Sequence, residues 1–283
     1  MLSKINFSRI FLFLILGLFV FYYITPLYVM IVTSLKSMNE IREGNLFSLP
    51  STINFDAWKI AWGGRGEGTS DTFLKPYFFN SLKITIPALI ISTLLGAING
   101  YALTKWKFKG ANIIFLLFLF GTFIPYQAIL LPMARTLGFL GISNSPIGLI
   151  LVHSVYGLGF TTLFFRNYYV SISDEIVKAA KVDGASTISI YMKIVLPMMR
   201  PVFMSAIVIL VHLSIKSYDL VIALTAGGPG ISSDMPAVFM TKMAFGRSEI
   251  GLASASAIMM FATVSAIIVP YLYSELRREQ DVK

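Results

Sequence analysis

The sequence predicts an all-α, polytopic membrane protein with six transmembrane helices. Three observations carry that prediction. Apolar residues make up 56 % of the 283 and the mean hydropathy is +0.75. Charged residues are 13 %, against about 25 % in an average soluble domain. The apolar residues gather into six runs near the roughly 20 residues that a helix needs to cross a bilayer. Backbone polar groups in lipid must be satisfied within the segment, and none of the runs shows the strict alternation of barrel strands, so each is read as a helix.

In chain order, the basic start MLSKINFSR precedes an apolar run at 10–34. That run exceeds the roughly 7–15 residues of a signal-peptide core and is read as an uncleaved first span. The others are 79–103, 111–133, 146–165, 202–224 and 251–273, all within a single transmembrane domain of residues 1–283. Of 23 Lys and Arg, thirteen lie at the termini and in the loops after the second and fourth spans, eight lie on the opposite side, and Lys83 and Lys216 lie within spans. The positive-inside rule therefore predicts a multi-pass protein of a prokaryotic inner membrane with both termini cytoplasmic. Loop 35–78 is then extracytoplasmic and loop 166–201 cytoplasmic. The outer loop, with the stretch GGRGEGTSD at 63–71, Trp58 and Trp62, is expected to be a flexible hairpin with tryptophans at the membrane interface, or a contact for an extracytoplasmic protein. The net charge of +9 sits mostly in short loops between spans, which reads as topology rather than nucleic-acid binding.

The 166–201 loop is the most informative polar segment. SISDEIVKAAKV at 171–182 reads as a short helix, with Ser173 as N-cap and Asp174 and Glu175 where the helix dipole favours anions. Ile176, Val177 and Ala180 fall on one side, with Glu175, Lys178 and Lys181 on a charged side. Asp183-Gly184 reads as a turn, Gly being free to adopt positive φ. A second helical stretch from about Ser186 runs to Pro197. The spacing Ala179-Ala180, Gly184, Ile194, Leu196-Pro197 resembles the coupling loop ("EAA loop") of the permease subunits of binding-protein-dependent ABC importers. Six positions at roughly 5–10 % usage each agree by chance about once in a million starts or less. Lys178 stands where that family usually has Glu, although Glu175 keeps an acid one turn earlier.

Further motifs extend the likeness from about Phe79 onward. Phe79-Asn80-Ser81-Leu82, Tyr101-Ala102-Leu103, Phe108-x-Gly110, Ile124-Pro125 and Leu131-Pro132 look like carbohydrate permeases of the maltose-transporter type. YGLGFTTLFFRNYY at 156–169 looks like glucose or α-glucoside importer permeases, and Gly227-Gly228-Pro229 resembles the companion permease of many sugar importers. The resemblance implies a sugar importer working by alternating access. It implies a second permease subunit, two ATPase subunits that bind ATP and Mg, and an extracytoplasmic sugar-binding protein. It assigns ATPase coupling to Glu175, Lys178, Ala179, Ala180, Asp183, Gly184, Ile194, Leu196 and Pro197. An importer for a polyol or glycerol phosphate is the nearest alternative.

No Gly-Lys dipeptide occurs, so this chain has no P-loop to cradle phosphates. Thr225 to Gly230 is Gly-rich without that lysine and reads as a tight turn or re-entrant corner. There is no cysteine, no catalytic constellation and no metal-ligand spacing around His153 and His212, so no cofactor, metal or enzymatic role is expected. Ionisable groups within spans need a reason. His212, Lys216 and Asp219 fall at i, i+4 and i+7 on one helical face, with Lys216 and Asp219 placed to pair. They are candidates for a substrate path, with Tyr218 as a stacking group. A secondary transporter using Lys216 and Asp219 as an ion relay is the alternative from another class. His153 is expected in an interhelix hydrogen bond or on the path. Tyr126-Gln127, beside Pro125, is expected at a helix break facing a cavity.

Overall fold

A computed structural model describes residues 7–66, 73–106 and 108–281. Lys4, Lys107, Lys283 and residues 67–71 of the glycine-rich stretch lie outside the described residues, as does the side chain of Arg278. The described chain is helical throughout, with no strand. The elements are α1 (Phe7–Ser34), α2 (Met38–Glu43), α3 (Asp56–Gly63), α4 (Lys75–Lys105), α5 (Ala111–Phe123), α6 (Leu130–Phe139), α7 (Pro146–Ser171), α8 (Asp174–Val182), α9 (Thr187–Ile190), α10 (Leu196–Met198), α11 (Arg200–Ile215), α12 (Asp219–Thr225), α13 (Pro236–Thr241) and α14 (Ile250–Asp281). A 3₁₀ turn (Tyr126–Ile129) precedes α6, and π turns (Tyr191–Val195 and Lys242–Gly246) follow α9 and α13.

Four helices, α1, α4, α7 and α14, are long and apolar enough to cross a bilayer. Two further apolar stretches pass only as bent pairs: α5 with the helical segment Tyr126–Phe139, at 97°, and Thr187–Met198 with α11, at 63°. The expected third span, 111–133, is therefore not one straight helix. Pro125 lacks the N–H that a continuing helix needs and disfavours αR geometry at Ile124, which is extended at φ −68°, ψ 121°. The fifth, 202–224, is interrupted at 216–218. The helix closes at Lys216, and α12 restarts at Asp219. Helix α1 exposes Phe11, Phe13, Leu18, Phe21, Tyr22 and Tyr23 around its whole circumference. In water that apolar surface is unfavourable at about 25 cal/mol per Å²; in lipid the cost vanishes.

The chain forms two compact units, Met1–Lys75 with Phe239–Phe261 and Pro76–Val238 with Ala262–Lys283. In the first, residues 35–66 carry two short helices, α2 and α3. Ser37 caps α2 by accepting from the Glu40 N–H, and Asn54 Oδ1 accepts from the Asp56 N–H at the start of α3. Trp58 is half-buried, and its Nε1 donates to Ser34 Oγ at 3.2 Å. Trp62 is 46 % exposed. Lys36 is buried and donates to Asn45 O and Ser48 Oγ, and Arg65 makes two hydrogen bonds to the Glu249 carboxylate.

In the second unit, α4 and α7 pack through small residues. A Cβ at Gly100 would stand 2.8 Å from Phe165 Cβ and from the Arg166 nitrogen, and a Cβ at Gly157 would stand 2.8 Å from Ser92 Cβ. Thr161 Oγ1 donates across the interface to Ser92 O at 2.7 Å. Two apolar clusters complete the unit. One joins Leu137, Leu149, Leu220 and Val221, and the other joins Phe165, Tyr169, Ile190 and Met199.

Candidate functional site

Two regions of the second unit gather the polar residues singled out above. The first is a cavity of about 410 Å³. Helix α4 contributes Thr85 and Ser92, α5 contributes Thr122, and α7 contributes His153 and Tyr156. The two helix breaks supply the rest. Tyr126 comes from the turn after Pro125, and Lys216, Ser217, Tyr218 and Asp219 come from the interruption between α11 and α12. Tyr126 Oη donates to Asp219 Oδ2 at 3.2 Å, joining the two breaks. The Tyr126 and Tyr156 rings meet edge to face, with centroids 6.2 Å apart. Thr85 Oγ1 and Ser214 Oγ share a hydrogen bond, and the Tyr156 hydroxyl is buried without a partner among the described residues.

Five of the seven residues expected on a substrate path line this cavity: Tyr126, His153, Lys216, Tyr218 and Asp219. Gln127 and His212 do not. Gln127 is exposed on the 3₁₀ turn, and His212 lies on α11 away from the lining. The expected Lys216–Asp219 pair is not formed. An i, i+3 pair needs a continuous helix. Here the helix has ended, and Asp219 turns to Tyr126 instead. The hydrogen bond of His153 is not interhelical, since its Nδ1 bonds Leu149 O within its own helix at 2.9 Å. Ser92, Thr122, Tyr156 and Ser217 were not singled out by sequence. Tyr156 lay inside a quoted motif; the small hydroxyls carried no signal, because Ser and Thr are common in packed membrane helices.

The second region is the 171–199 segment. Helix α8 begins at Asp174, and its N-cap Ser173 accepts from the Glu175 N–H. It ends in a Schellman motif, with Ala185 N–H donating to Ala180 O, Gly184 N–H to Lys181 O, and Gly184 at φ +79°. Ser186 then caps α9. Val177 and Ala180 pack inward against the cluster of Tyr169, Ile190, Val195 and Met199. Ala180 therefore closes this chain's own packing, while Glu175, Lys178, Ala179, Asp183 and Gly184 remain on the surface. Ile176, placed on the same side as Val177 and Ala180, is 40 % exposed. Ile194 and Leu196 are half-buried and Pro197 is exposed. Val182 and Ile188, 87 % and 77 % exposed, add an apolar component to the free face that sequence reasoning did not select.

The segment is tied to α4 and α7. Tyr101 of α4 packs edge-on against Tyr169 of α7 and against Tyr191, with both centroid distances 5.5 Å. The Tyr169 and Tyr191 hydroxyls are 2.9 Å apart, and Tyr168 Oη donates to Met198 O at 2.5 Å. Lys105, the last residue of α4, reaches Ile172 O and Asp174 Oδ1 at 3.0 and 2.6 Å.

Among known proteins, this chain is similar to the xylose/arabinose import permease protein XacI of Haloferax volcanii, with 30 % identity over 221 residues, 72 % of this chain and 69 % of that protein. It is 32 % identical over 178 residues to the diacetylchitobiose uptake system permease protein NgcG of Streptomyces coelicolor, covering 63 % of this chain and 56 % of that one. Its fold matches that of a chain in the crystal structure of a bacterial ABC transporter involved in the import of the acidic polysaccharide alginate. The TM-score is 0.75 at 20 % identity, over 96 % of this chain and 99 % of that one. Residues 90–278, from the cavity-lining part of α4 through the capped α8 to α14, match the family model described as binding-protein-dependent transport system inner membrane component, and the chain belongs to that family.

Proposed function

We propose that this chain is the membrane permease subunit of a binding-protein-dependent ABC importer for a carbohydrate, with both termini cytoplasmic. The observation that carries the reading is the cavity in which two broken helices present Tyr126 and Asp219 to each other. A sugar is recognised by carboxylate and hydroxyl groups that bond its hydroxyls and by aromatic faces against its C–H surface. Asp219 accepts, Ser217 and Lys216 donate, Ser92 and Thr122, whose hydroxyl protons go to Leu89 O and Phe118 O, offer acceptor oxygens, and Tyr126, Tyr156 and Tyr218 supply rings. One acid and one base leave this lining without a dominant charge, which favours a neutral solute over a uronate. Irregular backbone at membrane depth is stable only where protein or a watery cavity covers it, and both breaks border the cavity.

Helix α8 acts as the coupling helix. Its free face, with Glu175, Lys178, Ala179 and Val182, enters a groove of a cytoplasmic ATPase in the manner of a helix-in-groove contact. A second permease subunit, two ATPase subunits carrying ATP and Mg, and an extracytoplasmic binding protein complete the assembly. Movement of the ATPase groove tilts α8 and the helices fastened to it, opening the cavity alternately to each side.

The test is uptake into proteoliposomes holding the complete complex, across a panel of neutral mono- and disaccharides, a polyol, glycerol phosphate and a uronate. The expected result is uptake of a neutral sugar that requires both ATP and the binding protein. Uptake persisting without either would overturn the importer reading. Transport of only the polyol, the phosphate ester or the uronate would overturn the assignment to neutral sugars.

A further inference from the structure

We propose that Lys105 is a positioning residue for the coupling step. It fastens the first turn of α8 to the end of α4, so that the coupling helix and one wall of the cavity move as a single lever. The inference rests on the reading of α8 as the coupling helix.

The geometry at the Lys105 ammonium brings three helices to one point. The lysine is the last residue of α4. Its Nζ donates to Ile172 O, the C-cap of α7, at 3.0 Å, and to Asp174 Oδ1, in the first turn of α8, at 2.6 Å. The lysine side chain is 17 % exposed, whereas Asp174 is 58 % exposed. The cation is thus held by the protein, and the carboxylate comes to it from the edge. Ile172 is itself buried in the cluster with Tyr169 and Ala180. The carbonyl it offers is therefore a fixed anchor, and the bond to Asp174 is the part that sets where α8 begins.

One turn earlier, Tyr101 adds the apolar half of the joint through its edge-on contacts with Tyr169 and Tyr191. Ring contacts resist sliding only weakly, because an edge-to-face pair tolerates a range of angles. The lysine contacts are short and charge-assisted, and they hold the start of α8 to the end of α4. Helix α4 then runs from Lys105 back to Ser92 in the cavity lining with no proline between them, Pro87 lying beyond. Ser92 lies thirteen residues away, about 20 Å at 1.5 Å per residue. A partly exposed ion pair contributes little to net stability. The effect of losing this one is therefore expected in transmission and not in folding.

The experiment uses the complete complex in proteoliposomes and reads solute transported per ATP hydrolysed, with the ratio of ATPase to permease in the purified complex as the assembly measure. Lys105→Met keeps the aliphatic stem and removes the charge. Its transport per ATP is expected to fall at least about two- to tenfold, the range of a single net hydrogen bond, at an unchanged subunit ratio. Lys105→Arg, which still donates to both oxygens, is expected to restore most of it. Asp174→Ala, which removes the acceptor and leaves the Ile172 contact, is expected to fall between wild type and Lys105→Met, and decides the matter if Lys105→Met does not assemble. Wild-type transport per ATP in Lys105→Met, or in Asp174→Ala where that variant decides, overturns the proposal, as does an arginine variant no better than methionine. Val182→Asp in the same preparation separates the two levels. Loss of ATPase subunits supports α8 as the dock, and full retention of them with normal uptake overturns the coupling-helix reading itself, whatever Lys105 does.

Discussion

Tyr126 and Asp219 lie 93 positions apart in the chain, and their hydrogen bond joins the two helix breaks that border the cavity. Tyr126→Phe keeps the ring and its edge contact with Tyr156 but leaves the Asp219 carboxylate without this donor. A net hydrogen bond of about 0.5–1.5 kcal/mol corresponds to a two- to tenfold effect. Uptake by Tyr126→Phe, measured as initial rate at subsaturating solute, is expected to drop by that factor. An undiminished rate would remove this bond from the transport cycle. Residue chemistry alone pointed to both groups, since a tyrosine beside Pro125 and a carboxylate in an apolar run are each unusual. Their partnership was not legible. Lys216 stood three residues from Asp219 and offered an opposite charge, and only the end of α11 at Ile215 rules that pair out.

At the scale of elements, α8 and its turn were the most legible part of the chain. Ser173, Gly184 and Ser186 act through local hydrogen bonds and backbone freedom, and local rules need no tertiary knowledge. Gly184→Val places a β-branched residue at φ +79°, at a cost of about 1–2 kcal/mol. That is a five- to thirtyfold shift in a two-state balance. It is expected to appear as weaker retention of ATPase subunits on purification, without loss of the permease. Lys178 presents a cation where the family usually has an acid, so the partner groove is expected to be neutral or acidic there. Lys178→Glu should weaken ATPase assembly, and tighter assembly would contradict that picture. The two helix breaks that border the cavity divide by the same logic. The break at Ile124-Pro125 follows from proline's missing donor. The break at Lys216-Ser217-Tyr218 has neither Pro nor Gly to announce it, and the joint at Lys105 links residues 69 apart.

For the whole molecule, composition settles the solvent, because an apolar surface such as that of α1 is stable only in lipid. Which side each loop faces rests on the distribution of Lys and Arg, and the absence of cysteine makes the chain its own background for a direct test. Leu49→Cys and Ile188→Cys place single thiols at positions 71 % and 77 % exposed. In intact cells a membrane-impermeant thiol reagent is expected to label position 49 alone, and position 188 only after the membrane is opened. The reverse pattern would invert the topology and move α8 away from any cytoplasmic ATPase.

The sequence by itself determined the helical class, the apolar segments and the capped helix of the 171–199 segment. These follow from hydropathy and from contacts within about four residues. Tertiary structure decided which polar residues meet. The 97° bend and the interruption at 216–218 turn Tyr126 and Asp219 toward each other, the packing of α4 against α7 brings Lys105 onto Asp174, and Gln127 and His212 fall outside the cavity lining. The physical reason is that a helix break redirects everything beyond it, and the new direction is set by packing against helices distant in the chain.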